Sequence, residues 1–152
     1  MESKVAGKLK PLDYDLDYFE SEPFPIPYFN QKLKIGFVEA LYESYLFEAD
    51  RVLKNFLKLD TSERFKNSKK VYDYYDQTLL YGYTRDLNIN TVEDNWQFVY
   101  PSEIIIVSNE EGNYFLCVCC ECEWEMEHGL QLVFKDGLAL TKASSYDDNY
   151  KN

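Results

Sequence analysis

The sequence has a single histidine, His128, and six scattered glycines. A catalytic triad, a dyad or a metal site built on histidine would have to use His128, which excludes most sites of these kinds. The glycines form neither a G-x-G-x-x-G nor a G-x-x-x-x-G-K run, and nucleotide-binding loops need such runs. We therefore predict no nucleotide site, no cofactor and no metal.

Positive charge is also scarce. The chain has 16 Lys and Arg residues and 27 Asp and Glu residues, which gives a net charge of −11. Such a surface repels phosphate backbones and anionic lipids. No segment approaches the roughly 18 consecutive apolar residues of a membrane span. We therefore expect neither nucleic acid nor a membrane as the partner, and a basic protein is the partner that this charge fits.

The four cysteines are confined to the segment from Cys117 to Cys122. A secreted disulfide framework spreads its cysteines so that the bridges close long loops. Alternation along a strand would send Cys117 and Cys119 to one face and Cys120 and Cys122 to the other, so the thiols would not converge on a zinc ion. The first residues lack the apolar stretch of a signal peptide. We expect reduced, mostly buried thiols in a cytoplasmic protein.

The chain length and composition predict one globular domain. With 152 residues and 45% hydrophobic side chains, the chain can bury a sizeable core. Residues 1–28 contain four prolines and alternate acidic residues with tyrosines, and we interpret them as an irregular acidic arm. Residues 29–150 are predicted to form a single α+β domain.

Two helices are predicted in the first half of this domain. In residues 46–59 the apolar side chains recur three and four positions apart, as is typical of an amphipathic helix. Asp60, followed three residues later by Glu63, resembles a capping box and predicts the start of a second helix. That helix should run to about Leu80, because Gly82 favours a left-handed stop. The two helices are expected to form a hairpin.

The remaining segments favour strands. Residues 32–42 begin with alternating apolar and charged side chains, which indicates a half-buried strand. Aromatic and β-branched residues mark four later strands, at 97–107, 113–124, 130–134 and 138–143. The predicted fold class is α+β: an N-terminal strand and a helical hairpin packed on a C-terminal antiparallel β-meander of about four strands. The sequence does not decide which face of that sheet the helices cover.

A row of glutamates is the main candidate binding surface. Four of them occupy every second position from residue 121 to residue 127 and, while a strand persists, form an acidic ladder with neighbours about 7 Å apart. A tryptophan and the single histidine lie beside the ladder and are candidate anchors. The predicted partner-contact residues are Glu121, Glu123, Trp124, Glu125, Glu127 and His128. A weak divalent-cation site and a solvated face that prevents edge pairing are the other interpretations.

The segment Glu127-His128-Gly129 suggests an alternative function. A small molecule or a metal could bind at this turn, and the protein could then be a hydrolase. A dyad of Cys122 with His128 lacks an evident third group to orient the imidazole. The simpler interpretation is a turn in which Gly129 adopts a conformation that other residues resist. We assign no catalytic residue.

The segment from Trp124 to Gly137 has the pattern W-x-x-E-H-G-L-x-x-x-F-x-x-G. With the tyrosines of residues 71–75 and the segment Pro101-x-Glu103-Ile104 upstream, it resembles a family of small acidic bacterial proteins described as a domain of unknown function. Where the family often continues Tyr-Asp-Gly, Tyr146-Asp147 is followed here by Asp148 and Asn149. The resemblance implies an immunity-type, non-enzymatic protein that neutralises a basic toxin.

Overall fold

The computed structural model describes residues 1–82 and 87–150. Within these two ranges the chain forms nine strands, three α-helices and one 3-10 helix. The strands are β1 (Glu2–Ser3), β2 (Gly7–Leu12), β3 (Asp15–Ser21), β4 (Phe24–Ile26), β5 (Gln31–Phe37), β6 (Val99–Ser108), β7 (Tyr114–Cys122), β8 (Leu130–Lys135) and β9 (Ala139–Ser144). The helices are α1 (Glu43–Phe56), α2 (Thr61–Lys66), α3 (Ser68–Leu80) and the 3-10 helix Val92–Phe98. No helix of the described ranges is long and apolar enough to cross a membrane.

The strands join into one sheet in the order β1-β2-β3-β5-β6-β7-β8-β9, with β4 also paired to β5. The predicted meander is present as β6 to β9, and the α+β class is confirmed. The sheet has more strands than this predicted four-strand meander, because β6 also pairs with β5 and the N-terminal strands extend the sheet from there. Strands β5 and β6 pair in parallel. A parallel pair needs a long crossover connection, and the helical segment provides it.

Residues 1–28 form strands rather than an irregular arm. Two of the four prolines, Pro11 and Pro25, lie within strands, and they are compatible with pairing because these strands have a free edge. Pro11 faces Phe19 across β2 and β3, while the neighbouring β1 is only two residues long. Pro25 lies in β4, which pairs with β5 alone. The segment is therefore an edge of the main sheet.

The predicted helices are present, with one break. The side chain of Asp60 accepts hydrogen bonds from the backbone N–H groups of Ser62 and Glu63, which confirms the predicted helix start. The second helix divides at Asn67, whose side-chain amide donates to the buried Tyr28 hydroxyl at 3.1 Å. Gly82 has a φ of +72°, as predicted for the stop.

The two faces of the sheet are covered by different parts of the chain. Helices α1 and α3 pack on the face formed by residues such as Leu116, Val118 and Phe134. On the opposite face, a small apolar cluster around Phe115 is covered by the C-terminal segment, and the Tyr150 ring lies 6.5 Å from the Phe115 ring. The alternation predicted along β7 is confirmed, since odd and even positions enter different clusters.

Candidate functional site

A groove of 370 Å³ opens on the sheet face opposite the helices. Its floor is formed by Glu103 of β6 and by Cys119 and Glu121 of β7. Residues 126–130 form one lip, and Tyr146 from the C-terminal segment lies on the wall. We call this feature the acidic groove. It brings residues from three separate stretches of the sequence together.

The lip of the groove is a tight turn organised by Glu125. The side chain of Glu125 accepts hydrogen bonds from the backbone N–H groups of Glu127 and His128, at 3.1 and 3.3 Å. Its backbone carbonyl accepts from the N–H of Gly129 at 2.9 Å. The His128 Nδ1 atom lies 3.5 Å from a Glu125 carboxylate oxygen, and the imidazole remains largely exposed. Glu125 is therefore a residue that holds the turn.

Gly129 is required at this turn for two reasons. Its φ is +65°, a conformation that side chains resist. An added Cβ would also overlap the backbone carbonyl oxygen of Cys120 on β7. The turn is tied further by the Tyr74 hydroxyl, which donates to the Gly129 carbonyl at 2.8 Å. The Tyr146 N–H donates to the His128 carbonyl at 3.2 Å.

The predicted glutamate ladder does not form, because β7 ends at Cys122. Glu121 and Glu127 both line the acidic groove. Glu123 instead accepts a hydrogen bond of 2.8 Å from the Tyr100 hydroxyl, and Glu125 is used within the turn. The structure thus brings two of the four glutamates together with His128.

Trp124 lies in the core, so it is not a surface anchor. Its side chain is 2% exposed. The indole packs edge-on against Tyr74 and Tyr75, with ring centroids 6.0 and 5.6 Å apart. The Trp124 Nε1 atom is buried without an acceptor in the described part of the chain. Trp124 therefore fixes the end of β7 against helix α3.

Glu103 is a groove residue outside the set of contact residues that the sequence predicts. It faces Cys119 across β6 and β7 and is partly buried. Burial raises the pKa of Glu103, and the nearby charge of Glu20 adds to this rise. The signal in the sequence is an acidic residue directly before the apolar run of residues 104–107. Its position in the groove depends on the β6–β7 register.

The cysteines are poor nucleophiles and poor metal ligands in this fold. Cys117, Cys120 and Cys122 are buried, while Cys119 is partly exposed at the groove floor. Burial raises the pKa of the Cys119 thiol to about 12, and Glu103 contributes to the rise. The thiol is therefore protonated at neutral pH, whereas a reactive cysteine needs its thiolate. No group of three or more metal-ligating side chains converges within residues 1–82 and 87–150.

Comparison with known proteins identifies a family and no closer relative. No curated protein and no solved structure matches the chain significantly. Residues 8–150 match a family model described as a domain of unknown function (DUF6985). This match confirms the resemblance to a family without an assigned function, and it includes most of the N-terminal strands as well as the acidic groove. The chain belongs to the DUF6985 family.

Proposed function

We propose that the protein is a non-enzymatic interaction domain whose acidic groove binds a basic protein. The main support for the proposal is the position and the pairing of three glutamates, Glu103, Glu121 and Glu127. All three line one groove, and none forms an ion pair with a residue of the described ranges. Unpaired carboxylates on one surface steer a cationic partner and select against acidic ones.

Several acidic residues elsewhere in the chain are already paired with a cation. Glu20, Glu22 and Glu48 contact Lys34, Lys10 and Arg51 at 3.2, 2.9 and 2.6 Å. The groove glutamates thus differ from these surface acids in lacking a cation. A lysine or arginine side chain of a partner would supply it, and an arginine would also use two donors per carboxylate.

The environment of Glu103 favours a cationic ligand. Burial and the charge of Glu20 disfavour the ionised carboxylate, since they raise the pKa of Glu103. A cation bound beside Glu103 would offset this cost by pairing with the charged form. Two rim residues, Met126 at 86% exposure and Tyr146 at 42% exposure, offer apolar area around the charged centre. A polar centre with exposed apolar neighbours is typical of an interaction surface.

The proposed biological role is that of an immunity-type protein in the cytoplasm of a bacterium. The resemblance of the Trp124–Gly137 pattern supports this role, and so does the net charge of −11, which suits neutralisation of a basic toxin. In this role the protein binds its partner and catalyses no reaction. The protonated Cys119 thiol at the groove floor is consistent with a binding surface.

A small-molecule or metal-binding function at the Glu127-His128 turn is the second candidate. The volume of the acidic groove, 370 Å³, lies within the range of about 300–1,000 Å³ that is typical of ligand pockets. A thermal-shift panel of metabolites and divalent cations tests this candidate, because a ligand raises the melting temperature when it prefers the folded state. A shift that His128→Ala removes would favour it over the protein-binding function.

Affinity capture with matched variants tests the proposed function. The wild-type protein and Glu121→Lys/Glu127→Lys are immobilised and exposed to lysate of the source organism at low and high salt. Glu110→Lys/Glu111→Lys is the control, because these two exposed glutamates lie in the turn at the other end of β7. Captured proteins are identified by mass spectrometry.

The expected result is a basic protein that the wild type and the control retain at low salt and release at high salt. The Glu121→Lys/Glu127→Lys variant should not retain it. A basic partner that is held equally by all three proteins would contradict the acidic groove as its binding site.

A further inference from the structure

Helix α1 presents a second, outward-facing stripe in addition to its core face. The core face buries Tyr45, Ala49, Val52, Leu53 and Phe56. The outer residues recur three and four positions apart, which places them on one face of the helix. They are Glu43, Leu46, Phe47, Asp50, Arg51 and Lys54. We call them the α1 stripe.

The α1 stripe forms one side of a 760 Å³ groove. The other side is formed by Glu2 of β1 and by Lys4 and Val5 of the turn between β1 and β2. Leu46 and Val5 are partly buried apolar residues, and Phe47 is 66% exposed beside them. These three side chains form an apolar patch among the ionisable residues that line the groove.

The charges of this groove are balanced, unlike those of the whole chain. Its ionisable side chains are three acids and three bases: Glu2, Glu43, Asp50, Lys4, Arg51 and Lys54. The chain carries a net charge of −11, so two copies repel each other over most of their surfaces. Two copies that meet at this groove avoid that repulsion, because its acids and bases balance.

Contacts within the chain pair some of these charged side chains. Two charged side chains at the ends of the α1 stripe remain without an ion pair. Asp50 accepts from the Ser3 hydroxyl and from the Lys4 N–H. Arg51 pairs with two acids, at 2.6 and 3.1 Å. Glu43 at the start of α1 and Lys54 near its end have no ion-pair partner in the described part of the chain.

We infer that the α1 stripe binds a second copy of the same chain in a symmetric dimer. In an antiparallel, two-fold arrangement Glu43 of one copy faces Lys54 of the other, and the pair occurs twice because the interface is self-complementary. The same register sets Phe47 opposite the partner's Asp50. The two Phe47 rings then lie about 4.5 Å apart along the helix direction, since a helix rises 1.5 Å per residue.

This dimer leaves the acidic groove free. The α1 helix packs on the face of the sheet that contains Leu116, whereas Glu121 lines the groove on the opposite face. The dimer therefore does not depend on the proposed function. Glu121→Lys/Glu127→Lys should dimerise as the wild type does.

Sedimentation equilibrium of the purified full chain over a wide range of concentration tests the dimer. Phe47→Asp should weaken association by about tenfold or more, because a buried aromatic anchor becomes a charge. Leu16→Asp is the control, since Leu16 is 80% exposed on β3. It should leave association unchanged. Circular dichroism confirms that each variant is folded.

Charge exchange tests the antiparallel register. Glu43→Lys and Lys54→Glu should each weaken association, because each places like charges across the interface. The double variant Glu43→Lys/Lys54→Glu should restore association, even though both changes oppose the helix dipole and lower the melting temperature. A chain that stays monomeric at the highest concentration, an unaffected Phe47→Asp variant, or a double variant without restored association would overturn the inference.

Discussion

The hydroxyl of Tyr74 donates a hydrogen bond of 2.8 Å to the carbonyl oxygen of Gly129. This bond ties helix α3 to the turn that forms the lip of the acidic groove. We expect Tyr74→Phe to lower the free energy of unfolding by about 0.5–1.5 kcal/mol, because the carbonyl loses its donor. Urea denaturation measures the change. Tyr72→Phe on the same helix is the control, and an equal loss in both variants would contradict the assignment.

Gly129→Ala should be more destabilising than a change at another glycine of positive φ. The substitution adds backbone strain of about 1–3 kcal/mol and an overlap with the Cys120 carbonyl. Gly112 has a φ of +82° and open space around it, so Gly112→Ala adds backbone strain without an overlap. The difference between the two free energies of unfolding measures the overlap. Equal values would mean that the close approach to Cys120 does not matter.

The stability of the protein should depend on pH through Glu103. Because the pKa of Glu103 is raised in the folded state, the neutral carboxyl contributes stability that is lost as pH rises through that pKa. Glu103→Gln stays neutral, so it should raise the melting temperature near about pH 7 and have little effect near about pH 3.

The control for this experiment is Glu110→Gln, which removes one exposed charge from the turn after β6. Scanning calorimetry of both variants at the two pH values separates the effect of the groove from that of net charge. A Glu103→Gln variant that is less stable than the wild type at neutral pH would contradict the proposed cost of its charge.

The C-terminal segment is held to the sheet by Lys142. Its ammonium group donates to the Asp147 carboxylate at 2.7 Å and to the Asn149 carbonyl at 2.8 Å. We expect Lys142→Met to increase amide hydrogen exchange in residues 145–150, because the segment loses both bonds. Lys135→Met, at an exposed lysine on β8, should not do so. Unchanged exchange in Lys142→Met would mean that other contacts hold the segment, such as the hydrogen bond from the Tyr146 N–H to the His128 carbonyl.

Local signals predicted the meander and the helices well. Asp60 satisfies the N–H groups of a helix start, and Asp136 and Gly137, which connect β8 to β9, adopt positive φ values of 54° and 74°, as a tight hairpin turn requires. The N-terminal strands were missed because prolines and acidic residues depress strand propensity, and their pairing depends on contacts with a distant edge of the sheet. The local sequence pattern contains little information about such distant contacts.

The candidate site was predicted in part for the same reason. Glu121, Glu127 and His128 meet at one groove, as a segment rich in glutamate suggests. Because β7 ends at Cys122, Trp124 enters the core and the Glu125 side chain bonds within the turn. Contacts with helix α3 fix this end of the strand. Glu103 was missed because it reaches the groove through cross-strand pairing with Cys119.

An NMR titration of the ¹⁵N-labelled protein with a short arginine-rich peptide tests most directly whether the acidic groove binds a basic ligand. We expect shift changes concentrated at Glu103, Cys119, Glu121 and residues 126–130. The changes should disappear in Glu121→Lys/Glu127→Lys and persist in Glu110→Lys/Glu111→Lys. Shift changes spread evenly over the acidic surface, or changes that survive the Glu121→Lys/Glu127→Lys reversal, would contradict the groove as the binding site.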